Sequence, residues 1–250
     1  MYRIRKSLGQ HFLVDENISR KIVDHWRNRG FAQVLEIGPG AGALTKYLAE
    51  LPELDFRAVE IDEEKAEWLQ DRYPGLSGRI IRGNFLEMER PFGGAFSILG
   101  NFPYNISSQI LFRILDWKQE VPYVLGMFQK EVAQRLAAGE GSKTYGVLSV
   151  IIQAFYQVRI LFEVNEQSFR PAPKVKSAVI ELIRREKPAS MKNEQAFQVL
   201  VKTAFNQRRK TLRNAVRSLF DADFLADPLF NRRAEQLPVE EFGSLTFQMR

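Results

Sequence analysis

Short apolar runs alternate with segments of helical spacing through the first two thirds of the chain. Val34-Leu35-Glu36-Ile37, Phe56 to Ile61, Arg79 to Arg82, Phe96 to Leu99 and Val124 to Phe128 are brief and bounded by polar or turn residues, so they read as strands. Between the last two, apolar residues at 106, 110, 111, 114 and 115 form the stripe of an amphipathic helix. Another helix is expected to start near Ala43. This alternation predicts an α/β architecture, a mostly parallel sheet covered by helices on both faces. Farther on, Val158 to Val164 and Ser177 to Ile183 read as two strands joined by a Pro-containing loop, which fits an antiparallel pair at one edge. After Arg185 the pattern changes. Glu186-Lys187-Pro188 breaks the chain and the rest reads as helices, so the sequence predicts a first domain over 1–187 and a smaller all-α domain over 188–250.

A length of 250 residues allows a sizeable core. The apolar fraction of 45% and charged fraction of 26% are those of a soluble globular chain, and no run reaches membrane-spanning length. The start, Met1 to Gln10, is charged and lacks the apolar segment of a signal peptide, so a cytoplasmic protein is expected. With no cysteine and only His11 and His25 as imidazoles, no metal is expected. The net charge of +6 favours a polyanionic partner.

Glu36-Ile37-Gly38-Pro39-Gly40-Ala41-Gly42 lies between the first strand and the helix expected near Ala43, where Gly38, Gly40 and Gly42 let the backbone approach a ligand. Glu60, near the end of the next strand, can grip the two hydroxyls of a ribose. A glycine-rich loop also suits a dinucleotide or a plain turn. The spacing GxGxG and the carboxylate of Glu36 just before the loop favour S-adenosylmethionine, with Glu36 orienting the loop or holding an amino group. Asn84, after the third strand, is placed to contact the cofactor's adenine.

Asn101-Phe102-Pro103-Tyr104 follows the fourth strand. The Asn101 side-chain oxygen and the Phe102 carbonyl can each accept a hydrogen bond from an amine. Pro103 biases Phe102 toward an extended conformation, and Tyr104 offers a face for a flat base. These are the groups needed to alkylate an exocyclic amine whose lone pair is delocalised into its ring. Catalysis there rests on alignment and fixed dipoles more than on a strong base.

Six basic residues and no acidic one lie between Lys202 and Arg217, among them Arg208, Arg209, Lys210, Arg213 and Arg217. Arg209, Arg213 and Arg217 fall four apart, so a continuous helix would align them for phosphate contact. Phe197, Val201, Ala204 and Phe205 would line another face. Arg3, Arg5 and Lys6 form a second basic cluster.

Together with Ser7-Leu8-Gly9-Gln10-His11-Phe12-Leu13, these residues resemble the rRNA adenine dimethyltransferases, and most closely their small-subunit branch. The resemblance runs almost the full length. It includes Gln129 to Arg135, Tyr145 to Val150, Phe169-Arg170-Pro171-Ala172-Pro173-Lys174-Val175-Lys176-Ser177 and Ala204 to Asn214. It implies a Rossmann-like class I methyltransferase fold with a helical C-terminal domain, and S-adenosylmethionine as methyl donor. It further implies dimethylation of two adjacent adenines in a hairpin near the 3′ end of 16S rRNA, within immature 30S subunits late in assembly, by a monomer. By position it assigns cofactor contacts to His11, Leu13, Gly38, Glu60, Asn84 and Asn101. Asn101 and Tyr104 take the catalytic and stacking roles, and Phe169 becomes a second wall for the flipped adenine. Asn84 stands where the family usually has Asp, and Phe102 where it usually has Leu. Competing readings are a large-subunit dimethyltransferase of the resistance type, a non-catalytic assembly factor and a nicotinamide-dependent oxidoreductase.

Overall fold

The computed structural model describes residues 11–250. In chain order the elements are β1 (Phe12–Leu13), α1 (Glu16–Arg27), β2 (Gln33–Ile37), α2 (Thr45–Leu48), β3 (Asp55–Glu60), α3 (Glu63–Arg72), β4 (Ile80–Arg82), β5 (Ser97–Asn101) and α4 (Ser107–Asp116). They continue with β6 (Tyr123–Gln129), α5 (Lys130–Leu136), α6 (Val147–Gln153), β7 (Tyr156–Val164), β8 (Phe169–Arg170), β9 (Ser177–Arg184), α7 (Glu194–Asn206), α8 (Leu212–Ala215), α9 (Ala222–Leu225) and α10 (Val239–Leu245).

Seven strands form one sheet in the order β4-β3-β2-β5-β6-β9-β7. From β4 to β6 all pairings are parallel, and β9 runs antiparallel to β6 with Gly126 opposite Ile180. The central strands are buried on both faces, so they read as continuous apolar runs rather than alternating ones. The chain leaves β2 toward β3 and β4, then returns to β2's other side with β5. That reversal opens a crevice at the carboxyl ends of β2 and β5. Phe102, just past β5, is fully buried and fills the space over paired glycines. Gly100 lies opposite Gly126 in the β5–β6 register, and a Cβ on Gly126 would fall 2.5 Å from the Phe102 ring.

α1 starts where the Asp15 side chain accepts from the Asn17 and Ile18 amides, and it buries Ile22, Val23 and Trp26. The helix expected near Ala43 is a single turn beginning at Thr45. A separate two-stranded ribbon, which the apolar pattern did not indicate, pairs Phe12 with Arg170 and Leu13 with Phe169.

Two compact units are present. One joins the described residues up to Ala133 with Arg159–Arg184, and the other joins Gln134–Val158 with Arg185–Arg250. The division at Arg184 lies close to the break read at residue 187. The segment 134–158, read with the first domain, instead packs with the second unit. There the Tyr145 hydroxyl donates to the Leu237 carbonyl and the Ala189 amide donates to the Ala154 carbonyl.

In the second unit α7 starts at Asn193, whose side chain accepts from the Ala196 amide, and it buries Phe197, Leu200, Val201 and Ala204. It ends at Asn206, and Thr211 starts a new short helix that buries Leu212 and Ala215. The continuous helix expected to align Arg209, Arg213 and Arg217 is therefore absent. Arg209 lies in a turn, Arg213 in α8 and Arg217 beyond it, because burying Leu212 and Val216 requires the chain to bend.

Candidate active site

After β2 the chain turns through Gly38, Gly40 and Gly42, all with positive φ. Gly38 and Gly40 line a cavity at the carboxyl ends of the parallel strands. Any side chain on Gly40 would stand 3.1 Å from the Phe12 ring. Gly42 was expected to contact a cofactor, but it does not line the cavity. Its bare Cα makes room for Leu69 and Tyr73 behind the loop.

Two carboxylates hold this loop. Glu60 is only 5% exposed, so it is not a solvated charge at a strand end. One of its oxygens accepts from the Gly40 amide at 3.0 Å and the other from the Asp62 amide at 3.0 Å. Glu36, 2% exposed, accepts a 2.7 Å hydrogen bond from the Thr45 hydroxyl and so anchors α2. Burial pushes the Glu36 carboxyl up to about 8, with the nearby Glu60 charge adding and the Thr45 bond opposing. Burial also raises Glu60.

A folded-state value above the ordinary 4.5 means that the folded chain holds this proton more tightly than the unfolded one. The Glu36 contribution to stability is therefore full below about 4.5 and falls as pH rises to about 8. Thermal melting of the cofactor-free protein across that window should show a steeper decline for wild type than for Glu36→Gln. Equal declines would mean that Glu36 is already ionised.

At the opposite wall, the Asn101 amide nitrogen donates to the His11 carbonyl at 2.9 Å. A carbonyl can only accept, so this bond fixes the amide and leaves Oδ1 as its acceptor end. The His11 ring donates from Nδ1 to the Pro171 carbonyl at 2.8 Å and stacks on Tyr104, with centroids 5.6 Å apart and planes 27° from parallel. The Tyr104 hydroxyl is hydrogen-bonded to Ser177 Oγ, and burial raises its pKa. The 171–177 segment thus ties down both rings of the stack.

His11, Leu13, Glu36, Gly38, Glu60 and Asn84 all line this cavity, as do Asn101, Phe102 and Tyr104. The Phe102 ring is buried, so only its main chain can serve the site. Phe169, expected as a second wall for a base, is fully buried in the core and does not line the cavity, because its pairing with Leu13 turns it inward. Wall residues not singled out from sequence include Ile61 and Leu86. Ile61 ends the apolar run that carries Glu60, and its 53% exposure marks an apolar group held open beside the cavity.

Asn84 is committed to its own loop. Its Oδ1 accepts from the Leu86 amide at 3.0 Å and its Nδ2 donates to Glu87 at 3.0 Å. Aspartate here would lose that donor and set two carboxylates together. The amide is matched to Glu87, so restoring Asp has no reason to tighten ligand binding.

A family model described as ribosomal RNA adenine dimethylase matches residues 1–246. The chain belongs to that family. Its relatives include the ribosomal RNA small subunit methyltransferase A of Parabacteroides distasonis, 50% identical over 246 residues, covering 97% of this chain and 92% of that protein. The protein of the same name from Flavobacterium johnsoniae is 50% identical over 248 residues, covering 98% and 95%. A solved dimethyladenosine transferase from Plasmodium falciparum matches with a TM-score of 0.78 at 24% identity, over 93% of this chain and 94% of that one. The 23S rRNA methyltransferase ErmE matches with a TM-score of 0.68 at 24% identity, over 93% and 99%. These two likenesses show the shared fold.

The reaction of this dimethylase is S-adenosylmethionine-dependent methylation of adenine in ribosomal RNA. Among its described residues no helix is long and apolar enough to cross a membrane. Of the basic residues read from sequence, Arg209, Lys210 and Arg217 are exposed, whereas Arg208 and Arg213 are half-buried. Arg3, Arg5 and Lys6 lie outside the described residues.

Proposed function

We propose that this chain dimethylates two adjacent adenines of a hairpin near the 3′ end of 16S rRNA, late in small-subunit assembly. The support is near-half identity, over almost the whole chain, to proteins named small subunit methyltransferase A. The cavity's charge fits the cofactor. Its acidic lining groups are Glu36 and Glu60, and no lysine or arginine is among its described lining residues. A cation carrying an ammonium and a sulfonium is welcome there and favours the ionised form of Glu36, whereas a dinucleotide's pyrophosphate would meet two buried acidic side chains and no cation.

In this reading Glu36 takes the ammonium and Glu60 the ribose hydroxyls. Ile61 and Phe85 flank the adenine, whose amine finds the free lone pair of Asn84 Oδ1. S-adenosylmethionine supplies a methyl group on a good leaving group. The observation that carries the mechanism is the Asn101 amide pinned by the His11 carbonyl. Oδ1 of Asn101 and the Phe102 carbonyl accept the two protons of the target amine and favour the pyramidal geometry that frees its lone pair. Tyr104 supports the base and faces the positive charge that develops on the nitrogen. Neither carbonyl can keep a proton, so the alkylated amine releases one to solvent. Exposed cations over 209–217 of the second unit hold RNA backbone.

Methyl transfer to immature 30S particles and, in parallel, to 23S rRNA, followed by nucleotide mapping, tests the reading. Dimethylation of the two 16S adenines is expected. Modification confined to 23S rRNA would overturn the small-subunit assignment, and no transfer at all would favour an assembly factor without chemistry.

A further inference from the structure

The six cations between Lys202 and Arg217 are not equivalent in the structure. Arg208 donates through Nε to Glu235 at 2.5 Å and through its guanidinium to the Lys143 carbonyl at 2.8 Å. Arg213 donates through Nε to the Leu225 carbonyl at 2.8 Å. Both are spent on holding the second unit together. Lys210 and Arg217 are exposed and form no ion pair among the described residues, and with Gln207 and Asn214 they line one concave pocket.

The chain brings the four together by bending. Gln207 closes α7, and the Lys210 amide donates back to the Gln207 carbonyl at 2.8 Å. Asn214 then projects from α8 and Arg217 follows it. The convergent set is thus 207, 210, 214 and 217, not the four-apart stripe of arginines.

We propose that Gln207, Lys210, Asn214 and Arg217 form a subsite for one segment of RNA backbone. Lys210 and Arg217 hold a phosphodiester. The Gln207 and Asn214 amides donate to its oxygens and accept from the neighbouring 2′-hydroxyl. Two cations alone would suit any anion. Two neutral amides beside them, each both donor and acceptor, suit a phosphate flanked by a sugar hydroxyl. No acidic side chain is among its described lining residues to oppose an anion. This subsite rests on the proposed RNA reading and gives its backbone contacts particular residues.

The test compares two double variants of equal charge loss in binding to immature 30S particles across salt. Lys210→Gln with Arg217→Gln empties the pocket of charge, and Lys202→Gln with Arg233→Gln removes two exposed cations outside it. Each lost phosphate contact lowers the slope of log affinity against log salt by about 0.7–0.9. The pocket pair is expected to lower it by about 1.4–1.8, so a fourfold rise in salt costs that variant roughly seven- to twelvefold less affinity than wild type. The outer pair should lower it by less than one contact. Asn214→Asp, which sets a carboxylate beside both cations, should weaken binding at least as much as Lys210→Gln alone. Cofactor affinity, measured by calorimetry, should stay at the wild-type value in every variant. Equal slopes for the two pairs would reduce the pocket to part of a diffuse field and overturn the subsite. A wild-type slope in the pocket pair would overturn it too, while mapped methylation of 16S rRNA would leave the enzymatic reading standing. Salt-independent binding by the wild type would instead remove the RNA-docking reading itself.

Discussion

Asn101→Ala is expected to lower the turnover number for methyl transfer by about 10²–10³, the usual effect of removing one preorganised hydrogen-bonding group at a reacting centre. The affinities for cofactor and for RNA should change far less, because the Glu36 and Glu60 carboxylates and the second unit's cations are untouched. The reason is directional. The bond from Asn101 Nδ2 to the His11 carbonyl leaves Oδ1 as the acceptor at the cavity, without needing the substrate to orient it. Asn101→Asp is the sharper variant. It keeps an oxygen acceptor but has no donor for the His11 carbonyl, so the group loses its fixed orientation and a charge meets a carbonyl dipole. Its turnover should also fall, which separates preorganisation from the mere presence of an oxygen. Single-turnover transfer with saturating cofactor and RNA is the measurement, with melting curves to confirm folding. Near-normal turnover in Asn101→Ala would remove this residue from the mechanism.

Much of this site was legible because its parts are local. The runs that became β2, β3, β5 and β6 are short and apolar, and the Gly38 loop, Glu60 and Asn101 lie at or beside strand ends that any parallel sheet brings to one edge. What escaped reading depends on distant partners. Phe12 and Leu13 are too short a run to carry a period, so nothing local announced their pairing with Phe169 and Arg170. That pairing decides that Phe169 faces the core. The four-apart arginines suggested a helical stripe, but the spacing says nothing of Leu212 and Val216, whose burial bends the chain after Asn206. Asn84 was read as a contact for the cofactor's adenine, but nothing local announced its bond to Glu87, which is what the amide nitrogen holds. Residues 134–158 gave no compositional break, yet their packing belongs with the second unit.

Glu60→Ala should weaken cofactor binding far more than binding to small-subunit particles. Losing a charged acceptor for the ribose hydroxyls costs about 1.5–3 kcal/mol, roughly ten- to 150-fold in affinity. The loop adds to this. The same carboxylate accepts the Gly40 and Asp62 amides, so alanine leaves two backbone donors without their acceptor at the turn that must meet the ligand. Glu60→Gln retains one oxygen and should fall between wild type and alanine, because it can hold one of those amides but offers the ribose no charge. Calorimetry against S-adenosylmethionine, beside particle binding at fixed salt, separates the two roles. A stability loss with unchanged cofactor affinity would leave Glu60 as a staple of the glycine loop alone. A cofactor affinity that drops by one to two orders of magnitude, with particle binding unchanged, would place the ribose on this carboxylate and the RNA on the other unit's cations.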